Sequence, residues 1–285
     1  MPDSLHISAL LLHPVKSCAG ERVAALPLDA LGAVDDRRFM LVEAGGRFVT
    51  QREHPTLATI AVRRVPGGLV LEAPLREALH VATPDAETPS RDARVWGDDV
   101  RVRDCGDAAA AWFSASLGAS VRLVHLPVDA GRQVDLRFAP TGARTGLSDG
   151  FPLLVATDAS LADLAKRAGT TLAMERFRPN VVVAGSLPWE EDGWHVLRAG
   201  GVTLTLVKPC ARCSITLVDP ETGTPGAEPL RTLATFRRGT DLGFADVSAT
   251  STYFAWNALH EGAGPLRVGD AVEVVSRRTR GARNH

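Results

Sequence analysis

Short apolar runs separated by glycine- and proline-containing turns dominate the first part of this chain and restrict what it can fold into. Residues 34–49 carry apolar stretches broken by Ala44-Gly45-Gly46, and residues 59–65 and 69–73 flank Pro66-Gly67-Gly68. Short runs bounded by such turn signals are typical of β-strands joined by hairpins. The sequence therefore predicts a β-rich first part.

A helix, a loop-rich junction and a second β-rich part are expected to follow. Asp107 is a candidate N-cap and Gly118 a candidate C-cap for the first helix, and a second helix should begin at Asp158 and close at Gly169. We place a domain junction in the Pro-, Gly- and Arg-rich residues 127–150. Further strands are predicted at residues 121–126, 151–156, 180–184, 202–207, 213–218 and 266–275. The fold class is therefore mainly β (α+β), with domains at 1–126 and 127–278 and a disordered tail at 279–285.

Bulk composition excludes several functional classes. The chain has 285 residues, 45% hydrophobic content and a net charge of -1, so we expect a globular protein of two domains without a nucleic acid or anionic membrane partner. The N-terminal apolar run 7–12 lacks the features of a secretory signal and is predicted to be a strand. The four cysteines have no spacing typical of a disulfide framework, which predicts reduced thiols and a cytoplasmic location.

The stretch Lys208-Pro209-Cys210-Ala211-Arg212-Cys213 is the strongest chemical signal. Its two cysteines suit a redox pair or half of a zinc site, but no second Cys or His pair completes four ligands. Cations at Lys208 and Arg212 are expected to lower the pKa of a neighbouring thiol, and a thiolate is a soft metal ligand. Two buried structural cysteines remain the alternative interpretation.

Two further stretches combine cations with polar side chains. Arg178 and Asn180 flank Pro179 at the start of a predicted strand, where they suit a phosphate or a polar heterocycle. Lys16 and Ser17 follow the first predicted strand and suit a phosphate. An exposed Arg, a turn Asn and an ordinary polar turn are the alternatives.

Other sequence features favour structural roles. Arg37 and Arg38 follow Asp35-Asp36, and a solvated charge cluster explains them equally well. The tryptophans at 96, 112, 189 and 194 are interpreted as packing residues. Sequence patterns for a nucleophile elbow, a P-loop and a dinucleotide fold are missing from the chain.

Several of these stretches, in this order, resemble the MOSC family, named after the C-terminal domain of molybdenum cofactor sulfurase. The similarity is to the two-part form, an N-terminal β-barrel-like domain followed by a MOSC β-barrel domain, which includes the mitochondrial amidoxime-reducing component and its bacterial relatives. The matching segments span nearly the whole chain and are HPVKSCAG, DRRFMLV, TQREHP, VWGDDV, SDGFPLLVATDASLADL, FRPNVVVAG, PWEEDGWHVLRAGG, KPCARCSITLVDPETG, EPLRTL and LRVGDAVEV.

The resemblance implies roles for individual residues. Cys210 would bind molybdenum as a thiolate, beside the dithiolene sulfurs of a molybdopterin cofactor. Asp149 would lie near the metal as a second catalytic residue and manage protons. The residues implied to hold the pterin and its phosphate are Lys16, Ser17, Arg38, Arg178, Asn180, Arg212 and Tyr253. The sequence around residues 242–262 departs from the family pattern, and the position of Tyr253 depends on its alignment.

The implied activity is two-electron reduction of N-hydroxylated compounds of the amidoxime or hydroxylamine type. Electrons would come from a separate ferredoxin- or cytochrome-like protein with its reductase, because the chain lacks the cysteines of the C-terminal iron–sulfur domain that some relatives carry. Pyridoxal phosphate is not expected, since the chain has no room for an aminotransferase-like domain. The alternatives are a non-catalytic cofactor carrier or sulfur-transfer module, and a thiol-redox protein that uses Cys210 and Cys213.

Overall fold

The computed structural model describes residues 4–244, 247–262 and 264–278. These residues form a mainly β fold with a few helices, which confirms the predicted fold class. The strands, in chain order, are β1 (His6–Leu12), β2 (Glu21–Val23), β3 (Ala25–Leu26), β4 (Leu28–Asp29), β5 (Gly32–Ala33), β6 (Phe39–Val42), β7 (Ala61–Val65), β8 (Gly68–Glu72), β9 (Leu79–Ala82), β10 (Ser90–Val95), β11 (Asp98–Asp104), β12 (Arg122–His125), β13 (Arg132–Gln133), β14 (Arg144–Thr145), β15 (Leu153–Thr157), β16 (Val181–Ala184), β17 (Trp194–Ala199), β18 (Val202–Ala211), β19 (Tyr253–Gly262), β20 (Leu266–Arg267) and β21 (Glu273–Arg277).

Both predicted helices are present, and glycine ends each of them. Gly118 and Gly169 adopt left-handed φ values of 64° and 65°, which a residue without Cβ tolerates best. The first N-cap is Gly106 and not Asp107, whereas Thr157 caps the second helix by accepting a hydrogen bond from the Ser160 amide. The α-helices are α1 (Asp107–Leu117), α2 (Asp158–Ala168), α3 (Leu230–Leu233) and α4 (Gly239–Leu242); the 3₁₀ helices are Pro55–Thr59, Val128–Ala130, Met174–Phe177, Glu190–Gly193 and Ser214–Leu217.

The predicted strand at 213–218 is wrong. Strand β18 continues through Cys210 to Ala211, and Ser214–Leu217 then forms a 3₁₀ helix. The Thr216 amide and hydroxyl both donate to the Cys213 carbonyl, at 3.1 and 2.9 Å. Such local side-chain and backbone hydrogen bonds compete with strand pairing, although the apolar run itself is typical of a strand.

One eight-stranded sheet joins the two ends of the chain. Its strand order is β2-β1-β16-β15-β19-β18-β17-β21. The β15–β16 pair is parallel and the other pairs are antiparallel. The first strand of the chain therefore lies in a sheet built largely from strands that follow residue 150. The boundary predicted at 126/127 stays a prediction, and the predicted tail at 279–285 lies outside the described residues.

Smaller sheets and separate apolar clusters complete the fold. The sheets β10-β11-β12-β6 and β7-β8-β9 lie in the first half of the chain. There Phe113 of α1 packs with Leu41, Leu71 and Leu123. The largest cluster lies on the eight-stranded sheet and includes both Trp194 and Trp256. Within the described residues, no helix is long and apolar enough to cross a membrane.

Glu191 is a buried acid near the start of β17. It is 1% exposed, and its Oε2 accepts hydrogen bonds from the Thr157 and Ser160 hydroxyls at 3.1 and 2.8 Å. Burial disfavours the carboxylate and raises the pKa of Glu191 from 4.5 to about 7. At a pH between 4.5 and about 7, Glu191 keeps its proton in the folded protein and releases it in the unfolded chain. Unfolding therefore becomes easier as pH rises.

We therefore expect the free energy of unfolding to fall as pH rises through this window, by up to about 3 kcal/mol from this group. Glu191→Gln should remove that part of the decline, whereas Glu190→Gln, next to it and paired with Arg277, should leave the decline in place. Urea unfolding of the three proteins between pH 4 and pH 8 measures this. Parallel pH profiles for wild type and Glu191→Gln would contradict the assignment.

Candidate active site

A cleft that is open to solvent collects most of the residues that the sequence singled out. Strands β15 and β16 begin at the same sheet edge because they are parallel, and the antiparallel β1 ends there. Strand β18 supplies Cys210. The predicted site residues that line the cleft are Lys16, Ser17, Asp149, Arg178, Asn180, Cys210 and Arg212.

Arg212 is the cation that contacts the Cys210 thiol. Its Nη1 donates to Cys210 Sγ at 2.9 Å, and its Nη2 donates to the Phe177 carbonyl at 2.9 Å. Lys208 does not take part, because its Nζ lies 4.7 Å from the ring centroid of Phe138. Burial raises the pKa of the Cys210 thiol and Arg212 only opposes this, so the expectation of a lowered pKa is wrong for this structure.

Lys16 and Asp149 form an ion pair across the cleft. Lys16 Nζ donates to Asp149 Oδ1 at 2.6 Å and to the Leu147 carbonyl at 2.9 Å. Burial lowers the pKa of Lys16, and Asp149 opposes that shift. Although desolvation would raise the pKa of Asp149, the charge and hydrogen bond of Lys16 hold it well below its ordinary value. Asp149 is therefore a carboxylate at neutral pH, which accepts protons but has none to donate.

Asn180 connects the segments that form the cleft wall. It is fully buried, and its Oδ1 accepts from Arg37 Nη1 and from the Leu154 amide, both at 3.1 Å. Its Nδ2 donates to the Leu11 carbonyl at 3.4 Å. These contacts connect β1, β15 and β16. The amide is thus occupied by the protein, and Asn180 shapes the cleft more than it offers hydrogen bonds to a ligand.

Arg178 has spare hydrogen-bonding capacity in the cleft. Its Nη1 donates to the Cys18 carbonyl at 2.6 Å, whereas its buried Nη2 has no hydrogen-bond partner among the described residues. Its backbone adopts a left-handed φ of 55°. Buried cationic donors without a partner are costly, so this atom marks a place where an anion would fit.

Two of the predicted site residues do not line the cleft. Arg38 Nη2 binds both carboxylate oxygens of Asp29, at 2.6 and 2.7 Å. Tyr253 is 1% exposed, and its hydroxyl accepts from the Ser248 amide and donates to the Ser248 carbonyl, at 2.8 and 3.3 Å. The arginine that reaches the cleft is Arg37, one position earlier than the family resemblance implies.

Sequence reasoning missed several other residues at the cleft. Phe151 and Asn257 line it although the sequence indicates no role for either, whereas Cys213 was considered only as a redox partner of Cys210. Cys213 Sγ accepts a hydrogen bond from Arg52 Nη2 at 3.1 Å. All four cysteines of the chain are free. Among the described residues, no group of three or more His, Cys, Asp or Glu side chains converges to hold a metal ion.

Two family models together match most of the chain. The MOSC N-terminal β-barrel domain matches residues 4–120, and the MOSC domain matches residues 142–273. With the relatives described next, these matches show that the chain belongs to the MOSC family in its two-part form. The predicted resemblance is therefore confirmed.

The relatives are amidoxime-reducing components of mitochondria. Component 2 of Homo sapiens is 34% identical over 276 residues, which cover 93% of this chain and 82% of the relative. Component 1 of Homo sapiens is 33% identical over 94% of this chain and 82% of its own length. Among solved structures, the YuaD protein of Bacillus subtilis matches 94% of both chains with a TM-score of 0.37 and 9% identity.

The ion pair beneath the cleft gives a stability prediction. Arg37 Nη1 binds the buried Asp36 carboxylate, and Arg37→Met would leave that charge without its cationic partner. We expect a loss of about 3 to 5 kcal/mol in the free energy of unfolding. Arg22→Met, which breaks the solvent-exposed pair with Glu175, should cost less than about 1 kcal/mol. Urea unfolding distinguishes them, and equal losses would mean that Arg37 is not a central contact.

Proposed function

We propose that this protein binds the molybdenum cofactor through Cys210 and reduces N-hydroxylated compounds of the amidoxime or hydroxylamine type. The observation that carries the proposal is a thiol held by Arg212 in the same cleft as Arg178, whose buried Nη2 has no hydrogen-bond partner in the part of the chain that the structure describes. A thiol suits a soft metal, and a guanidinium suits a phosphate. A phosphorylated cofactor that carries a metal needs both kinds of group in one place.

The residues of the cleft fit such a cofactor. Cys210 would bind the metal, and the hydrogen bond from Arg212 would stabilise its thiolate. Arg178, Lys16 and Ser17 would hold the phosphate and the polar edge of the pterin, because they bring cationic and hydroxyl donors to the cleft. Arg38 and Tyr253, which lie outside it, are not included in this set.

The cofactor supplies two-electron reduction chemistry when it is bound. Removal of oxygen as water from an N-hydroxy group consumes two electrons and two protons. Lys16 donates from Nζ to Asp149 Oδ1 at 2.6 Å. Lys16 would donate protons towards the reacting group, and the Asp149 carboxylate would hold the ammonium in place. The same pair fixes the cleft wall that orients the substrate.

The relatives support this assignment by their names, since they are amidoxime-reducing components. We propose that electrons reach this protein from a separate ferredoxin- or cytochrome-like carrier with its own reductase. We propose no nucleic acid or membrane partner for this protein. Four free cysteines favour a reducing compartment, for which we propose the cytoplasm.

A non-catalytic cofactor carrier or sulfur-transfer module is the alternative. Cys213, the second thiol in the cleft, supports this alternative, because a sulfur relay uses an accessible cysteine. A carrier would bind the cofactor with the same residues. Reduction of acetamidoxime by dithionite-reduced methyl viologen separates the two, because only the enzyme forms acetamidine.

The first test is molybdenum content per chain, measured by elemental analysis on protein from a cofactor-competent host. Wild type should hold close to one molybdenum per chain, and Cys210→Ala should lose most of it. Cys105→Ala is the matched control, because Cys105 packs in the N-terminal core and not in the cleft. Wild type without molybdenum would refute cofactor binding. Equal contents in wild type and Cys210→Ala would refute the assigned ligand.

A further inference from the structure

The sequence predicts a packing role for Trp96, but its environment in the structure differs from that of a packing residue. It is 46% exposed, whereas Trp194 is fully buried. It occupies the first position of the two-residue turn between β10 and β11, with a positive φ of 56°. Hairpin turns that need a positive φ at this position favour glycine there. In this chain Gly97 occupies the second position of the turn, so Trp96 adopts the positive φ at the first. The backbone of Trp96 is therefore strained, and the residue lies at the rim of the cleft.

The indole ring is held firmly although it is exposed. The Arg52 guanidinium lies 4.8 Å from the ring centroid, and the Phe48 ring meets it at 5.0 Å and 63°. The indole Nε1 donates to Asp149 Oδ1 at 3.3 Å. An exposed aromatic ring with three such contacts has little freedom to move and presents a fixed surface.

Two of these three contacts lead into the cleft. Asp149 lines the cleft opposite Lys16, and Arg52 also donates to Cys213, another lining residue. The ring therefore contacts one cleft residue, Asp149, directly and reaches a second, Cys213, through Arg52. Packing alone does not explain this arrangement, because the ring leaves nearly half of its surface in water.

We infer that Trp96 is a substrate-specificity residue, a fixed aromatic platform at the rim that stacks against the flat, conjugated part of the substrate. The platform would favour aryl N-hydroxy compounds over small aliphatic ones with the same reacting group. Strain in the turn is retained because the position serves binding. The inference rests on the proposed function, and it adds which substrates the cleft selects.

The test compares benzamidoxime with acetamidoxime, which share the amidoxime group and differ in the ring. For Trp96→Ala we expect KM for benzamidoxime to rise about 2- to 10-fold, the range of an aromatic contact, with kcat little changed. KM for acetamidoxime should stay within about twofold. Saturation-transfer NMR on the oxidised protein, without reductant, should show the same loss of benzamidoxime contact independently of turnover.

Two further variants separate stacking from structure. Trp96→Phe keeps a ring but loses the hydrogen bond to Asp149, so it should retain most of the preference for benzamidoxime. Trp96→Gly suits the positive φ and should melt within a few degrees of wild type, yet lose the preference as Trp96→Ala does. Trp112→Phe, on α1 away from the cleft, controls for loss of a tryptophan.

Each outcome decides between the hypotheses. Equal KM changes for both amidoximes in Trp96→Ala would overturn the platform and leave a structural role for the ring. Unchanged KM for both would show that the substrate does not reach it. If molybdenum-loaded wild type reduces neither amidoxime, the proposed function fails. The platform itself then fails if NMR also detects no Trp96-dependent contact with benzamidoxime.

Discussion

The buried guanidinium of Arg37 is the contact on which the candidate site depends. It binds the Asp36 carboxylate, Asn180 Oδ1 and the Arg178 carbonyl, while its backbone pairs with His13 and Leu147. The side chain thus holds the start of β16, and the backbone of the same residue holds the end of β1 and the loop before β15. Charge-assisted hydrogen bonds of this kind are strong when both partners are buried. Without them, the three segments that bring Lys16, Asp149 and Arg178 together would have no common anchor.

Some polar groups of the cleft use their hydrogen-bonding capacity within the protein, and others keep capacity for a ligand. The Asn180 amide is satisfied by backbone groups and by Arg37, and Lys16 gives one hydrogen bond to a carboxylate and one to a carbonyl. Arg178 Nη2 remains without a hydrogen-bond partner among the residues that the structure describes. Because burial of a cationic donor costs free energy unless it is paired, the fold tolerates this atom at a cost that an anionic ligand would remove. Arg212 Nε, also buried, likewise has no hydrogen-bond partner among the described residues. The incomplete pairing of these two arginines therefore marks the candidate site.

Local signals were predictable from the sequence, and long-range ones were not. Glycine at 118 and 169 marked the helix ends, since a left-handed cap depends on a single residue. The pairing of β1 with β16 depends on contacts between residues about 170 positions apart, which no local pattern encodes. Arg37 lines the cleft and Arg38 binds Asp29 instead, a difference between two neighbouring arginines that the sequence does not reveal. Cys210 lines the cleft, but its spacing from Cys213 left two buried structural cysteines as an alternative, and its role as a metal ligand rests on the family resemblance.

The cleft belongs to both halves of the chain. Lys16, Ser17 and Arg37 come from the first half, whereas Cys210 and the segment around Arg178 come from the second. The rim repeats this division, because Arg52 reaches Cys213 and Trp96 reaches Asp149. Moreover, β1 fills the place between β2 and β16 in the large sheet. A second half without the first would lose that strand, expose the edge of β16 and lack Lys16 and Arg37, while it kept Arg178 and Arg212. The two matched family segments therefore act as one structural unit at the site.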